Sequence, residues 1–120
     1  MYGIHSMGVR SLEEVRKCDE NEMCHDLRIY FSVSRSLSGI IKPNLRGVTC
    51  EWGSGKLDVY CYFDGEVSEQ DEEFMIDAEG EVAIDYMGVY KVTFHCIRYD
   101  YTQSLGDKGM RGWIYRRYEE

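Results

Sequence analysis

The sequence has little proline and no long apolar run. A single proline stands among 120 residues, and no apolar run approaches the roughly 18 residues of a membrane-spanning helix. The first seven residues have neither a basic start nor an apolar stretch, so we expect no signal peptide. Bases are few as well, since 14 Lys and Arg stand against 22 Asp and Glu and give a formal charge of −8. We therefore expect a cytoplasmic protein that binds neither membranes nor nucleic acid, because phosphate binding needs a basic surface.

Motifs for metal binding and catalysis are also missing. The five cysteines are odd in number and lack the close pair spacing of metal sites, so we expect reduced thiols and no metal. Cys24 and His25 are adjacent, as are His95 and Cys96, and neighbouring strand residues point to opposite faces. No calcium-loop pattern occurs, and nothing pairs a nucleophile with a base. We expect no cofactor and no enzymatic activity.

The composition is that of one folded domain. Apolar residues make up 43% of the chain and aromatic residues 13%, which is enough for a packed core. We expect a single domain over residues 1–120, with residues 23–120 as its core. Residues 1–22 are predicted to be an N-terminal extension, in which Ser11 and Glu14 have the spacing of a capping box before a short helix at about 12–18.

Helical spacing predicts two main helices. The first has Asp26 as a cap and Pro43 as its end. Its residues at helical spacing are Leu27, Tyr30, Phe31, Ser34, Leu37 and Ile41. The second begins after Ser68, a suitable N-cap with Asp71 three positions later, and ends near Gly88. Its apolar stripe consists of Met75, Ala78, Val82 and Tyr86.

A period of two predicts four strands. The first two are joined by a short hairpin loop at Gly53, Ser54 and Gly55, and the second strand places Tyr60 and Tyr62 on its less apolar face. The third strand is predicted at about 89–99 and the fourth at 113–118, with a polar loop between them. We expect an α+β fold in the order α-β-β-α-β-β, with both helices on one face of an antiparallel four-stranded sheet.

Residues 64–85, here called the acidic segment, hold the whole charge excess. They contain ten acids and no Lys or Arg, while acids and bases nearly balance in the rest of the chain. Such a run is commonly a solvated helix face. The alternative is a docking surface for a basic partner, which the cost of repulsion between like charges four residues apart makes more attractive. Tyr60, Tyr62 and Tyr86 could serve as aromatic anchors beside it.

Five stretches of sequence support a family resemblance. They are KPNLRGV at 42–48, YFDGE at 62–66, SEQDEE at 68–73, IRYDY at 97–101 and WIYRRYE at 113–119. This succession resembles small bacterial immunity proteins, which accompany the toxins of contact-dependent growth inhibition and related polymorphic toxin systems. The resemblance covers about residues 33–119.

The resemblance implies a cytoplasmic antitoxin. Such proteins bind a toxin domain delivered by a neighbouring cell and block its active site or its substrate path. Many of these toxin domains are cationic nucleases, which an acidic inhibitor suits because it occupies the surface meant for phosphates. The expected partner is therefore a cognate toxin domain with a basic surface.

The hypothesis for the toxin-binding surface combines acids of the acidic segment with two tyrosines. Its members are Glu66, Glu69, Asp71, Glu72, Glu73, Asp77 and Asp85, with Tyr60 and Tyr62 as anchors. Two other classes of function remain open. One is a general acidic adaptor for protein interactions with no toxin. The other is a small enzyme, which would show an enclosed pocket with a pKa-shifted carboxylate or histidine.

Overall fold

Two helices and four strands make up the computed structural model of the chain, which describes residues 24–109 and 111–119. The elements are α1 (Cys24–Ser36), β1 (Leu45–Gly53), β2 (Lys56–Phe63), α2 (Glu69–Asp85), β3 (Lys91–Arg98), a short 3-10 helix (Gly106–Lys108) and β4 (Trp113–Arg116). This order confirms the predicted α+β class and its α-β-β-α-β-β succession. The predicted extension at 1–22, with its short helix, lies outside the described residues.

The sheet has the strand order β3-β2-β1-β4 and is mixed. β1 is antiparallel to both β2 and β4, but β2 and β3 run parallel in a register from Lys56↔Lys91 to Phe63↔Arg98. The prediction of a wholly antiparallel sheet was therefore wrong. The reason is α2, whose 17 residues carry the chain back along the sheet so that β3 starts beside the start of β2.

Local residue choices explain how the elements begin and end. Ser54 (φ 53°) and Gly55 (φ 77°) form the two-residue turn of the predicted hairpin, with positive φ at both positions as in a type I′ turn. The Ser68 hydroxyl accepts from the Asp71 amide, and the Asp71 carboxylate accepts from the Ser68 amide, so α2 starts with a capping box. The helix α1 ends at Ser36, well before Pro43, because the chain turns through Gly39 at φ 83°.

Both helices pack on one face of the sheet and enclose the core. That face presents the alternate, apolar side chains of β1 and β2. The fully buried strand residues are Val48, Cys50, Leu57, Val59, Cys61 and Phe63. From the helices they meet Ile29 and Val33 of α1, and Met75 and Val82 of α2. This arrangement leaves the outer side of α2 facing away from the protein.

A buried arginine holds the C-terminal segment to β1. Arg46 is 1% exposed, and its Nε and Nη2 donate to the Glu119 carboxylate at 2.8 and 2.9 Å. Its Nη1 donates to the carbonyl oxygens of Tyr99 and Asp100 at 2.6 and 2.8 Å. Arg117 continues the network by donating to Glu119 and Asp64. The segment after β4 is therefore part of the folded domain.

Candidate protein-binding surface

The helix α2 divides its acids between two sides. Its inner side is buried through Asp71, Met75, Ala78 and Val82. Its outer side, together with Glu66 just before the helix, presents six exposed acids that make no ion pair with any residue the structure describes. We call these six residues the acidic face: Glu66, Glu69, Glu72, Glu73, Asp77 and Glu81. Five of them belong to the predicted toxin-binding set. Glu81 was not predicted and is included because it lies on the same exposed side of α2.

Asp71 belongs to the predicted set but does not reach the surface. It is 2% exposed, and its carboxylate accepts from Lys42 Nζ and Asn44 Nδ2, both at 2.9 Å. Burial works to raise the pKa of Asp71, but hydrogen bonds from Ser68, Lys42 and Asn44 outweigh it and lower the pKa to about 2. Asp71 therefore fixes the start of α2 against the segment that leads into β1.

Asp85 and two further acids of the acidic segment also have partners within the fold. Asp85 accepts from Ser32 Oγ and Arg35 Nη2, both at 2.6 Å, and so ties the end of α2 to α1. Asp64 accepts from Arg117, and Glu79 accepts from the backbone amide of Phe94 at 2.7 Å. Four of the ten acids thus hold elements together, while the six of the acidic face do not.

The two predicted tyrosine anchors lie across the sheet from α2. Tyr62 is only 5% exposed and packs edge-on against Tyr99 and Trp113. Tyr60 stacks on His95 with ring centroids 4.8 Å apart, and His95 Nε2 lies 2.9 Å from Asp58 Oδ1. The structure therefore does not bring Tyr60 or Tyr62 to the acidic face. Alternation along β2 already held this information, because the helices cover the other, apolar face of that strand.

Two exposed isoleucines on the acidic face were missed by the sequence analysis. Ile76 is 64% exposed and Ile84 is 69% exposed, and they lie four residues on either side of Gly80. Residues four apart share one side of a helix, so Ile76, Gly80 and Ile84 form one row among the acids. The available signal was their spacing, which differs from that of the buried stripe at Met75, Ala78 and Val82.

Two concavities border α2. A groove of about 530 Å³ lies between α1 and the end of α2, and its lining includes Arg28, Phe31, Tyr86 and Val89. A smaller cleft of about 180 Å³ lies between α2 and β3. The lining of this cleft combines carboxylates and apolar side chains: Glu72, Met75, Ile76, Glu79, Phe94 and Cys96. Glu72 and Ile76 make this cleft continuous with the acidic face.

Other kinds of site find no support among the described residues. No three His, Cys, Asp or Glu side chains in 24–109 and 111–119 are grouped so that they could hold a metal ion. Within the same ranges, neither helix has the length and apolar character required to cross a bilayer. The thiols of Cys50 and Cys61 are buried, and burial raises the pKa of Cys50 to about 12.

The comparison with protein families agrees with the resemblance seen in the sequence. A family model described as MafI2 immunity protein matches residues 26–119. The match takes in nearly all of α1, every later element and Glu119 of the C-terminal network. No curated protein matches the chain. The predicted likeness to small bacterial immunity proteins of polymorphic toxin systems is thereby confirmed.

Proposed function

The chain belongs to the MafI2 immunity protein family, and from this membership we propose that it neutralises a cognate toxin domain by covering it with the acidic face. An immunity protein acts as an inhibitor rather than as an enzyme. The proposal concerns which surface of the inhibitor contacts the toxin, and what chemistry the toxin presents there.

The observation that carries the proposal is a set of charges without partners. Glu69, Glu73 and Asp77 lie on one side of α2, exposed and without an ion pair in the described chain. Acids four residues apart on a helix destabilise it when no base lies between them. A basic partner surface would remove that repulsion and would gain from electrostatic attraction during approach.

The toxin that fits this surface is basic. A nuclease domain is the leading candidate, because a surface that binds phosphates is positively charged and would be covered by carboxylates. Covering that surface would block the active site or the path of the substrate. The inhibitor would act in the cytoplasm, where a delivered nuclease meets its substrate.

A pair of triple variants tests the proposal, because each changes the net charge by the same amount but at a different place on the surface. One variant replaces Glu69, Glu72 and Glu73 with Gln. The other adds three lysines at exposed positions elsewhere, Ser34→Lys, Ser38→Lys and Gln103→Lys, and changes the net charge by the same amount. The binding partner for this experiment is the toxin domain that we expect a neighbouring reading frame to encode, and calorimetry gives the dissociation constant.

We expect the glutamine variant to bind the toxin at least about tenfold more weakly than the wild type does, and to protect cells poorly. The lysine variant should lose only a small part of that affinity, since its changes lie away from α2. Equal losses in both variants would show that only the total charge matters. Unchanged binding of a folded glutamine variant, checked by circular dichroism, would remove the acidic face from the interface.

A further inference from the structure

The row of Ile76, Gly80 and Ile84 forms a notch in the middle of the acidic face. The two isoleucine side chains are 64% and 69% exposed, and the position between them has no side chain. Glu73, Asp77 and Glu81 belong to the same exposed side of the helix. The notch is therefore an apolar strip with bare backbone at its centre and carboxylates around it.

Nothing in the described fold explains the glycine at position 80. A Cβ atom placed there would meet nothing within 4 Å, so no neighbouring element requires the space. Gly80 is also not among the glycines with positive φ, so its backbone conformation is open to other residues. Glycine weakens the middle of a helix relative to alanine. A residue that weakens the helix and serves no internal contact points to a contact outside the chain.

We propose that this notch is the anchor point of the toxin and takes one bulky apolar side chain flanked by Lys or Arg. The inference rests on the proposed function and deepens it. Without a Cβ at position 80, such a side chain can lie directly on the backbone of α2, between the walls formed by Ile76 and Ile84. The flanking bases would contact the carboxylates of Glu73 and Asp77.

Charge decides between the two occupants that an apolar notch could have. A second copy of this chain, docked through the same surface, would bring two sets of carboxylates together and would be repelled. A basic toxin surface is attracted instead. An apolar anchor with a charged rim is also the usual anatomy of a tight protein interface, in which a few central contacts supply most of the affinity.

The substitution Gly80→Ala separates this role from a structural one, because the two effects have opposite signs. Alanine should stabilise α2 and raise the melting temperature by about 2–6 °C. The added methyl group should fill the notch and increase the dissociation rate of the toxin by about tenfold or more. Scanning calorimetry and surface plasmon resonance on the full chain measure the two quantities.

Serine substitutions test the walls of the notch. Ile76→Ser and Ile84→Ser keep a similar helix propensity and should each raise the dissociation rate without lowering the helix content measured by circular dichroism. Leu27→Ser is the matched control, since Leu27 is 51% exposed on α1 and lies away from the notch. Its dissociation rate should equal that of the wild type.

The outcomes distinguish failure of the anchor from failure of the proposed function. If Gly80→Ala binds the toxin as tightly as the wild type while the triple glutamine variant does not, the acidic face contacts the toxin but the notch does not anchor it. If Gly80→Ala lowers the melting temperature, the glycine serves the fold and the inference is overturned. A wild-type dimer that Ile84→Ser dissociates would assign the notch to self-association, and a wild-type chain that does not bind the toxin would end both proposals.

Discussion

Arg46 illustrates how this fold keeps a charge in its interior. Removing a guanidinium from water is costly unless acceptors surround it, and Arg46 has four within hydrogen-bond distance. The hydrogen bond from Arg46 is the main reason why the pKa of Glu119 falls to about 2, although burial opposes it. Arg117 lowers the same pKa further. Glu119, next to the end of the chain, is therefore a residue of the fold.

Replacing Glu119 by Gln should destabilise the protein by on the order of 3 kcal/mol, because Arg46 would remain buried without its counter-ion. The loss should depend on pH. A carboxyl whose pKa is lowered by folding stabilises the native state above its unfolded pKa, here 4.5, and this contribution disappears as the pH falls towards about 2. Urea unfolding between pH 3 and 7 measures it.

The stability of the wild type should therefore fall more steeply below pH 5 than that of Glu119→Gln. The stability of the variant should still fall somewhat at low pH, because the pKa of Asp71 is also lowered to about 2. Glu81→Gln is the control, since Glu81 is exposed and without an ion pair in the described residues. Parallel loss of stability in the wild type and in Glu119→Gln would contradict the role given to this carboxylate.

At the scale of elements, local periodicity located the strands and both helices but chose the wrong side of α1. Leu27 and Phe31 of its predicted stripe are exposed, while Ile29 and Val33 are buried. Alternation identified β1 and β2, and the spacing of Ser68 and Asp71 identified the start of α2. The direction of β3 depends on where α2 returns the chain, which is a tertiary property. The sequence nevertheless offered a hint, because a helix between two strands is typical of a parallel pair.

The candidate site was only partly predictable for a related reason. The run of acids was visible in the sequence, but their separation into inner and outer sets depends on partners far along the chain. Lys42 forms an ion pair with Asp71, and Arg35 forms one with Asp85, although the partners are 29 and 50 residues apart in the sequence. The exposed row of Ile76 and Ile84 could have been found earlier, because its helical angle differs from that of the buried stripe.

The turn between β1 and β2 contains a residue whose replacement should stabilise the protein. Ser54 adopts φ 53°, a left-handed conformation that costs most side chains about 1–2 kcal/mol and that asparagine adopts more readily. Ser54→Asn should therefore raise stability by roughly 0.5–1 kcal/mol, measured as a higher urea midpoint. Gly55→Ala should lower it, because alanine disfavours the φ of 77° found there. A stabilising Gly55→Ala would show that the turn differs from this description.

At the scale of the whole molecule, the acidic face and two arginines near β4 lie towards different edges of the sheet. α2 packs against β3, which is one edge strand, and so places the acidic face on that side. At the other edge, β4 and the segment before it present Arg111 and Arg116, which lie over Trp52 and Trp113. β3 itself carries Lys91 and Arg98, so bases lie at both edges of the sheet and the acidic face is a local concentration of negative charge. Under the proposed function, this concentration of charge would attract an approaching basic partner towards α2 before contact is made.

Salt should therefore slow the association of this protein with its toxin and leave dissociation nearly unchanged. Charges that steer an encounter act over a distance of about 10 Å at 0.1 M salt and only about 3 Å at 1 M. We expect the association rate to fall by about tenfold or more between 0.05 and 1 M sodium chloride, because steering typically raises on-rates by 10–10³. The central contact of the proposed anchor at Gly80 is apolar, so the dissociation rate should change less with salt than the association rate. The triple glutamine variant of Glu69, Glu72 and Glu73 should show a shallower dependence of its association rate on salt. Stopped-flow measurements on both proteins would decide the matter, and equal slopes for the two would mean that the acidic face does not guide the toxin.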